Sequence, residues 1–172
     1  NLSYKFLSAS ENKTKIISTG IPVSSKFIGK ISKEDAREKL KLPLDSNIIL
    51  MMTGGVGCGN VIEILNTLLI SLDNNEKIIV LVGKNNELKT EVKKTFYQNK
   101  RIIVVPFTEK VNLYMDACDL LLTKPGGLSS TEAAVKNIPF IHTMPIPGCE
   151  TKNALFFCKH KMSLKVNNIK DL

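Results

Sequence analysis

Continuous apolar runs of strand length, separated by segments with helical spacing, constrain this chain more than any other feature. Ile48–Met52 is apolar throughout, and so are residues 78–82, 102–105 and 120–122, with a shorter strand expected at Phe140-Ile141-His142. A strand wet on one face alternates apolar and polar side chains. A strand apolar at every position is covered on both faces, which is the pattern of a parallel sheet between two helical layers. The intervening segments fit that arrangement. Val61, Ile64, Leu65, Leu68 and Leu72 recur at helical intervals, as do Leu88, Val92 and Phe96. Shorter helices are expected over 111–118, 130–136 and 151–160, the second stopping ahead of Pro139 because the residue before proline resists helix. A last strand is expected over 163–166. The expected fold is therefore α/β, a parallel sheet with helices on both faces, with neither internal repeat nor low-complexity linker.

With 172 residues, 43% of them hydrophobic, the chain can bury the core of one domain. No apolar run approaches the roughly 18 residues of a membrane span. The opening Asn1-Leu2-Ser3-Tyr4-Lys5 has neither an initiator methionine nor the pattern of a signal peptide, so the chain is expected to be a piece of a longer protein. Four cysteines lie far apart without a C-x-x-C pair, which points to reduced cytoplasmic thiols and to no metal site. The net charge of +8 argues for a solvated face or attraction to an anionic membrane surface. Nucleic acid is not expected as a partner, because aromatic residues are only 6% of the chain and few lie among Lys84, Lys89, Lys93, Lys94, Lys100 and Arg101.

Parallel sheets bind ligands beyond the carboxyl ends of their strands. Four loops qualify here: after Met52, after Val105, after Thr123 and after His142. The third carries the strongest chemistry. Thr123-Lys124-Pro125-Gly126-Gly127-Leu128-Ser129 leads from a strand into a helix, so unpaired amides gather at the positive end of a helix dipole, where a phosphate fits. Glu132 lies just beyond and suits a sugar diol; it also fits a capping box with Ser129. Phosphate and ribose side by side describe a nucleotide. Pro125 shapes the turn, and Lys124 either neutralises diphosphate or points to solvent. The Gly54-Gly55-Val56-Gly57-Cys58-Gly59 loop invites a dinucleotide reading, as in an NAD-dependent oxidoreductase. That reading wants an acid at the end of the second strand, where Val82-Gly83-Lys84-Asn85 has none. Phe107 is either core or part of a loop whose backbone meets a base. His142 is a structural histidine or a donor behind the site, and Met144 and Met162 look like core filling.

Several of these motifs carry a resemblance. Thr123-Lys124-Pro125-Gly126-Gly127-Leu128, then Thr131-Glu132-Ala133-Ala134, then Pro145-Ile146-Pro147-Gly148-Cys149-Glu150 with Asn153-Ala154, resemble the donor half of the diacylglycerol glycosyltransferases. That group holds the monogalactosyldiacylglycerol synthases and the processive diacylglycerol glucosyltransferases, with MurG, the N-acetylglucosaminyltransferase of peptidoglycan synthesis, as a more distant relative. Gly20-Ile21-Pro22-Val23 and Gly54-Gly55-Val56-Gly57 also match its spacing, so the similarity runs from about Gly20 to Val166.

The resemblance implies a Rossmann-like domain, the C-terminal half of a GT-B glycosyltransferase, over 20–172, with 1–19 as linker or tail of an N-terminal domain. It implies an inverting hexosyltransferase that moves glucose or galactose from UDP-hexose to diacylglycerol or a glycolipid, without cofactor or metal, at the cytoplasmic face of the membrane. The catalytic base and the lipid acceptor site are expected on the other domain, so this piece alone should bind donor without turning it over. By the same resemblance the donor is held by Gly55, by Phe107 and Thr108 at the uracil, and by Lys124, Gly126, Gly127, Leu128 and Ser129 at the phosphates and sugar. Glu132 falls at the ribose, and Cys149, Glu150 and Asn153 at the hexose. Cys149 departs from the glutamine usual in the family, and a thiol is a poor hydrogen-bond partner.

Overall fold

The computed structural model describes residues 17, 19–54, 60–143, 148–166 and 168–172. Among them six parallel strands form one sheet: β1 (Ile48–Met52), β2 (Lys77–Gly83), β3 (Ile102–Pro106), β4 (Leu120–Thr123), β5 (Phe140–His142) and β6 (Ser163–Lys165). Their spatial order is β3-β2-β1-β4-β5-β6. The helices are α1 (Ser25–Ile28), α2 (Lys33–Leu40), α3 (Val61–Ser71), α4 (Asn86–Thr95), α5 (Val111–Ala117), α6 (Gly127–Lys136) and α7 (Cys149–Lys159), and a 3-10 turn spans Ile169–Asp171.

The continuous apolar strands supply two cores, one on each face. Ile49, Met51, Ile78, Val80 and Val82 pack with Val61, Ile64, Leu65 and Leu68 of α3 and with Leu88 and Val92 of α4. The alternate residues Ile48, Leu50, Ile79, Leu81 and Leu121 face Met115 of α5, Ala133 of α6 and Phe157 of α7. Period-two geometry sends neighbouring side chains to opposite faces, so a strand apolar at every position serves both layers.

Two differences from the sequence expectations matter. First, α6 begins at Gly127 and α7 at Cys149, both earlier than the apolar spacing suggested. Secondly, α2 was not anticipated, because its face toward the body of the domain is partly polar. Ala36 and Arg37 are its buried residues. Its start is nonetheless written in the chain: Ser32 caps it by accepting from the Asp35 amide at 3.0 Å, and Glu34 and Asp35 occupy the first turn.

Arg37 ties the amino edge of the sheet together. It donates to Ala117 O at 3.0 Å, to Leu44 O at 3.0 Å and to Asp119 Oδ2 at 2.7 Å. Asp119 also accepts from the Ile48 amide at 2.6 Å and pairs with Lys33. Burial alone would raise its carboxyl pKa, but Lys33, the Ile48 amide and Arg37 outweigh burial and hold it below the usual value. A second, fully buried pair joins Lys136 of α6 to Asp116 of α5 at 2.6 Å, and Lys136 also donates to Gly29 O.

His142 is a structural histidine. It is fully buried, with Ser130 Oγ 2.9 Å from Nε2 and Ser163 Oγ 3.2 Å from Nδ1, so β5, β6 and α6 are joined through one ring. Met162 is not core filling: it follows the turn after α7 and is 45% exposed, while Met144 lies outside the described residues. Arg101 is not part of a free basic face either. It donates to the carbonyls of Leu69, Leu72 and Glu76. Cys118 is buried and unpaired, and burial foremost, with Asp119 beside it, pushes its thiol up to about 12, so it is protonated and inert at neutral pH.

Candidate functional site

The strand order reverses direction at β1. The chain runs from β1 outward through β2 to β3, then returns to place β4 on β1's other side. Such a switch point opens a crevice at the carboxyl ends of the two central strands, because their outgoing loops part in opposite directions. The sequence puts its glycines there. β1 runs out through Thr53 into Gly54, which takes a left-handed φ of 74°. β4 runs out through Lys124, Pro125 and Gly126 into α6.

Gly126 is the N-cap of α6 and no side chain caps it. The first closed turn is Ser130 N to Gly126 O at 3.1 Å, so among the described residues the amides of Gly127, Leu128 and Ser129 have no protein acceptor. They form an open ring of donors at the positive end of a ten-residue helix. A Cβ on Gly127 would stand 3.0 Å from Ile21 Cδ1 and 3.8 Å from Asn153 Nδ2, so the glycine leaves the corner uncrowded. Asn153, from α7, donates to Pro125 O at 3.0 Å and steadies the corner.

The early start of α6 removes the capping box. Ser129 stands third in the helix, not at its cap, and Glu132 lies in the second turn with no hydrogen bond or ion pair among the described residues. It is half-buried, and burial pushes its carboxyl pKa up. Leu128, one turn earlier on the same helical face, is exposed. A carboxylate that has lost water and gained no partner among the described residues is an unspent acceptor beside the open amides.

Of the two readings of Lys124, the one toward solvent does not hold. Its Nζ lies 3.0 Å from Glu150 Oε1 in the first turn of α7. Phe107 also departs from a core reading. It is 57% exposed just past β3, and the Lys84 ammonium lies 5.2 Å from its ring centroid. The two border a cleft of about 300 Å³ between the carboxyl ends of β1, β2 and β3, with Met52, Gly54, Gly83 and Thr108 in its wall. Thr108 Oγ1 accepts from the Lys110 amide at 3.1 Å and fixes the turn. Sequence reasoning placed Lys84 on a general basic surface; its position directly after a glycine at a strand's carboxyl end was the available signal.

The structure thus brings Lys124, Gly126, Gly127, Leu128, Ser129, Glu132, Glu150 and Asn153 together around the β4–α6 corner, with Phe107 and Thr108 at the neighbouring cleft. Gly55 lies outside the described residues, as do Pro145, Ile146 and Pro147. Cys149 opens α7, but its side chain is likewise outside the description. A larger groove of about 790 Å³ lies away from these residues, at the amino ends of β4, β5 and β6. Among the described residues no three His, Cys, Asp or Glu side chains converge as metal ligands, and no helix is long and apolar enough to cross a membrane.

Comparison with known proteins agrees with this architecture. Residues 48–170 match the glycosyltransferase family 28 C-terminal domain. A processive diacylglycerol beta-glucosyltransferase of Staphylococcus aureus (strain Newman) is 32% identical over 139 residues, covering 81% of this chain and 36% of that protein. The chain therefore spans about a third of the length of the curated relatives it matches. Two solved structures share the fold. MurG of Acinetobacter baumannii superposes with a TM-score of 0.61 at 21% identity, covering 87% of this chain and 45% of that one. Anabaena Alr3699/HepE, solved in complex with UDP and glucose, gives a TM-score of 0.66 at 16% identity, covering 98% and 48%. The sheet is that of one half of a GT-B glycosyltransferase, and the chain belongs to glycosyltransferase family 28, of which it carries the C-terminal domain.

Proposed function

We propose that residues 20–172 form the donor-binding half of an inverting hexosyltransferase that takes glucose or galactose from UDP-hexose and passes it to diacylglycerol or a glycolipid. The observation that carries this is the pairing, among the described residues, of open amides at Gly127, Leu128 and Ser129 with a half-buried Glu132, one turn on, that has no partner. A diphosphate satisfies the first and a ribose diol the second. Uracil then belongs in the cleft beside Phe107 and Thr108, whose backbone can meet the edge of a base. Glu150, Asn153 and Cys149 stand at the opposite end, where the hexose extends.

As UDP departs, negative charge develops on its distal phosphate, and the amides with the α6 dipole stabilise that charge without having to reorient. The base that deprotonates the acceptor hydroxyl belongs to a partner half, with residues 1–19 serving as the link to it. This piece then binds donor without turnover. The relative from Staphylococcus aureus supports a lipid acceptor, and the net charge of +8 suits an anionic membrane surface. The family match sets aside the oxidoreductase reading. A MurG-like transfer of N-acetylglucosamine is the remaining alternative, supported by the shared fold.

Calorimetry of the chain against UDP, UDP-glucose, UDP-galactose, UDP-N-acetylglucosamine and NADH tests the proposal. UDP and at least one UDP-hexose should bind, UDP-N-acetylglucosamine more weakly, and NADH not at all. Tightest binding of UDP-N-acetylglucosamine would favour the MurG-like alternative, and no binding of any uridine nucleotide would refute both.

A further inference from the structure

Lys124 and Glu150 meet across the mouth of the crevice, with Nζ 3.0 Å from Oε1 and side chains only 19% and 11% exposed. The lysine stem runs over the turn that leaves β1. A Cβ on Gly54 would stand 2.7 Å from Lys124 Cε, 3.5 Å from Cδ and 3.6 Å from Nζ. A flexible four-carbon stem with a strongly hydrated head normally reaches for water. Here a carboxylate on a third element draws it back across the switch point. Glu150 is suited to that task, because it sits in the first turn of α7, where the helix dipole favours its charge. Asn153, three residues on, grips the same corner through Pro125 O.

We propose that Glu150 is a positioning residue that acts on the diphosphate through Lys124, instead of reading the sugar hydroxyls directly. The inference rests on the donor-site reading above. Glu132 stands beyond the open amides along α6 and Lys124 stands before them. Phosphates extending away from a ribose at Glu132 therefore run toward the ammonium. An ammonium has three donors, so Lys124 can keep its bond to Glu150 while offering another to the distal phosphate. Gly54 is glycine for its left-handed φ of 74°, and the lysine stem lies over the backbone of the turn it makes.

A carboxylate that reads sugar matters only to nucleotides that carry sugar, whereas one that positions Lys124 matters to UDP itself. The test compares UMP, UDP and UDP-glucose binding to the chain and to its Glu150→Gln, Lys124→Met and doubly substituted forms by calorimetry. Each single substitution should cut the preference for UDP over UMP by about tenfold or more, the loss expected for a charge-assisted hydrogen bond. The double substitution should add little to either, and UDP-glucose should lose affinity in step with UDP.

Three results would overturn the proposal alone: Glu150→Gln weakening UDP-glucose while sparing UDP, UMP and UDP weakening in equal proportion, or additive losses in the double form. A wild-type chain that binds neither UMP nor UDP would overturn the donor-site reading as well.

Discussion

Glu132 shows how a helix boundary decides the role of a residue. Had α6 begun three residues later, Ser129 and Glu132 would have formed a capping box and the carboxylate would be occupied. Because Gly126 is the cap, Glu132 rises into the second turn, partly dehydrated and without a partner among the described residues. Raising the folded-state pKa of a carboxyl above its unfolded value costs stability once the group is ionised. Glu132→Gln should therefore weaken UDP binding by about tenfold or more at an equal or slightly higher melting temperature, read by calorimetry and thermal unfolding. Unchanged affinity would remove Glu132 from the site. His142 carries the opposite sign. Burial lowers its pKa from 6.5 to about 4, so the folded protein keeps it neutral while the unfolded chain takes up a proton. Its contribution is whole above pH 6.5 and is lost as pH falls toward 4. The melting temperature of the wild-type chain should drop across that interval more steeply than that of His142→Gln.

At the scale of elements, the strands were legible because their signal is redundant: every residue of β1, β2 and β4 that serves a core is apolar, and either face alone would betray the strand. The glycine corner after β4 was legible for a similar reason, since strand, two glycines and a helix admit few geometries. Polar packing was not. Arg37 holds the amino edge of the sheet through three acceptors, yet in the sequence it is one charge among many on a short polar helix. The Lys124–Glu150 and Lys136–Asp116 pairs join residues 26 and 20 positions apart, and no local pattern encodes a partner at such distances. Removing Arg37 leaves Asp119 and two carbonyls short of a donor at the edge remote from the crevice. Arg37→Met should cost about 3 kcal/mol of stability in denaturant unfolding while UDP affinity stays the same. A parallel loss of UDP affinity would mean that the two edges are coupled.

For the whole molecule, the strand order explains why the two ends of the sheet differ in chemistry. At the amino edge the Arg37–Asp119 network ties α2 to β1 and to the turn before β4, and a groove opens beside it at the amino ends of β4, β5 and β6. The carboxyl edge leaves donors, a carboxylate and a cleft open around the β1–β4 switch point. If the crevice holds the donor as proposed, this domain needs no special catalytic side chain of its own, because its contribution is then to hold the leaving group in a preorganised field of amides. Solving the structure of this chain with UDP bound tests that account most directly. The account predicts the diphosphate on the Gly127, Leu128 and Ser129 amides, the ribose hydroxyls on Glu132 and the uracil beside Phe107. A nucleotide seated elsewhere with this crevice open, at the amino-edge groove for instance, would contradict it.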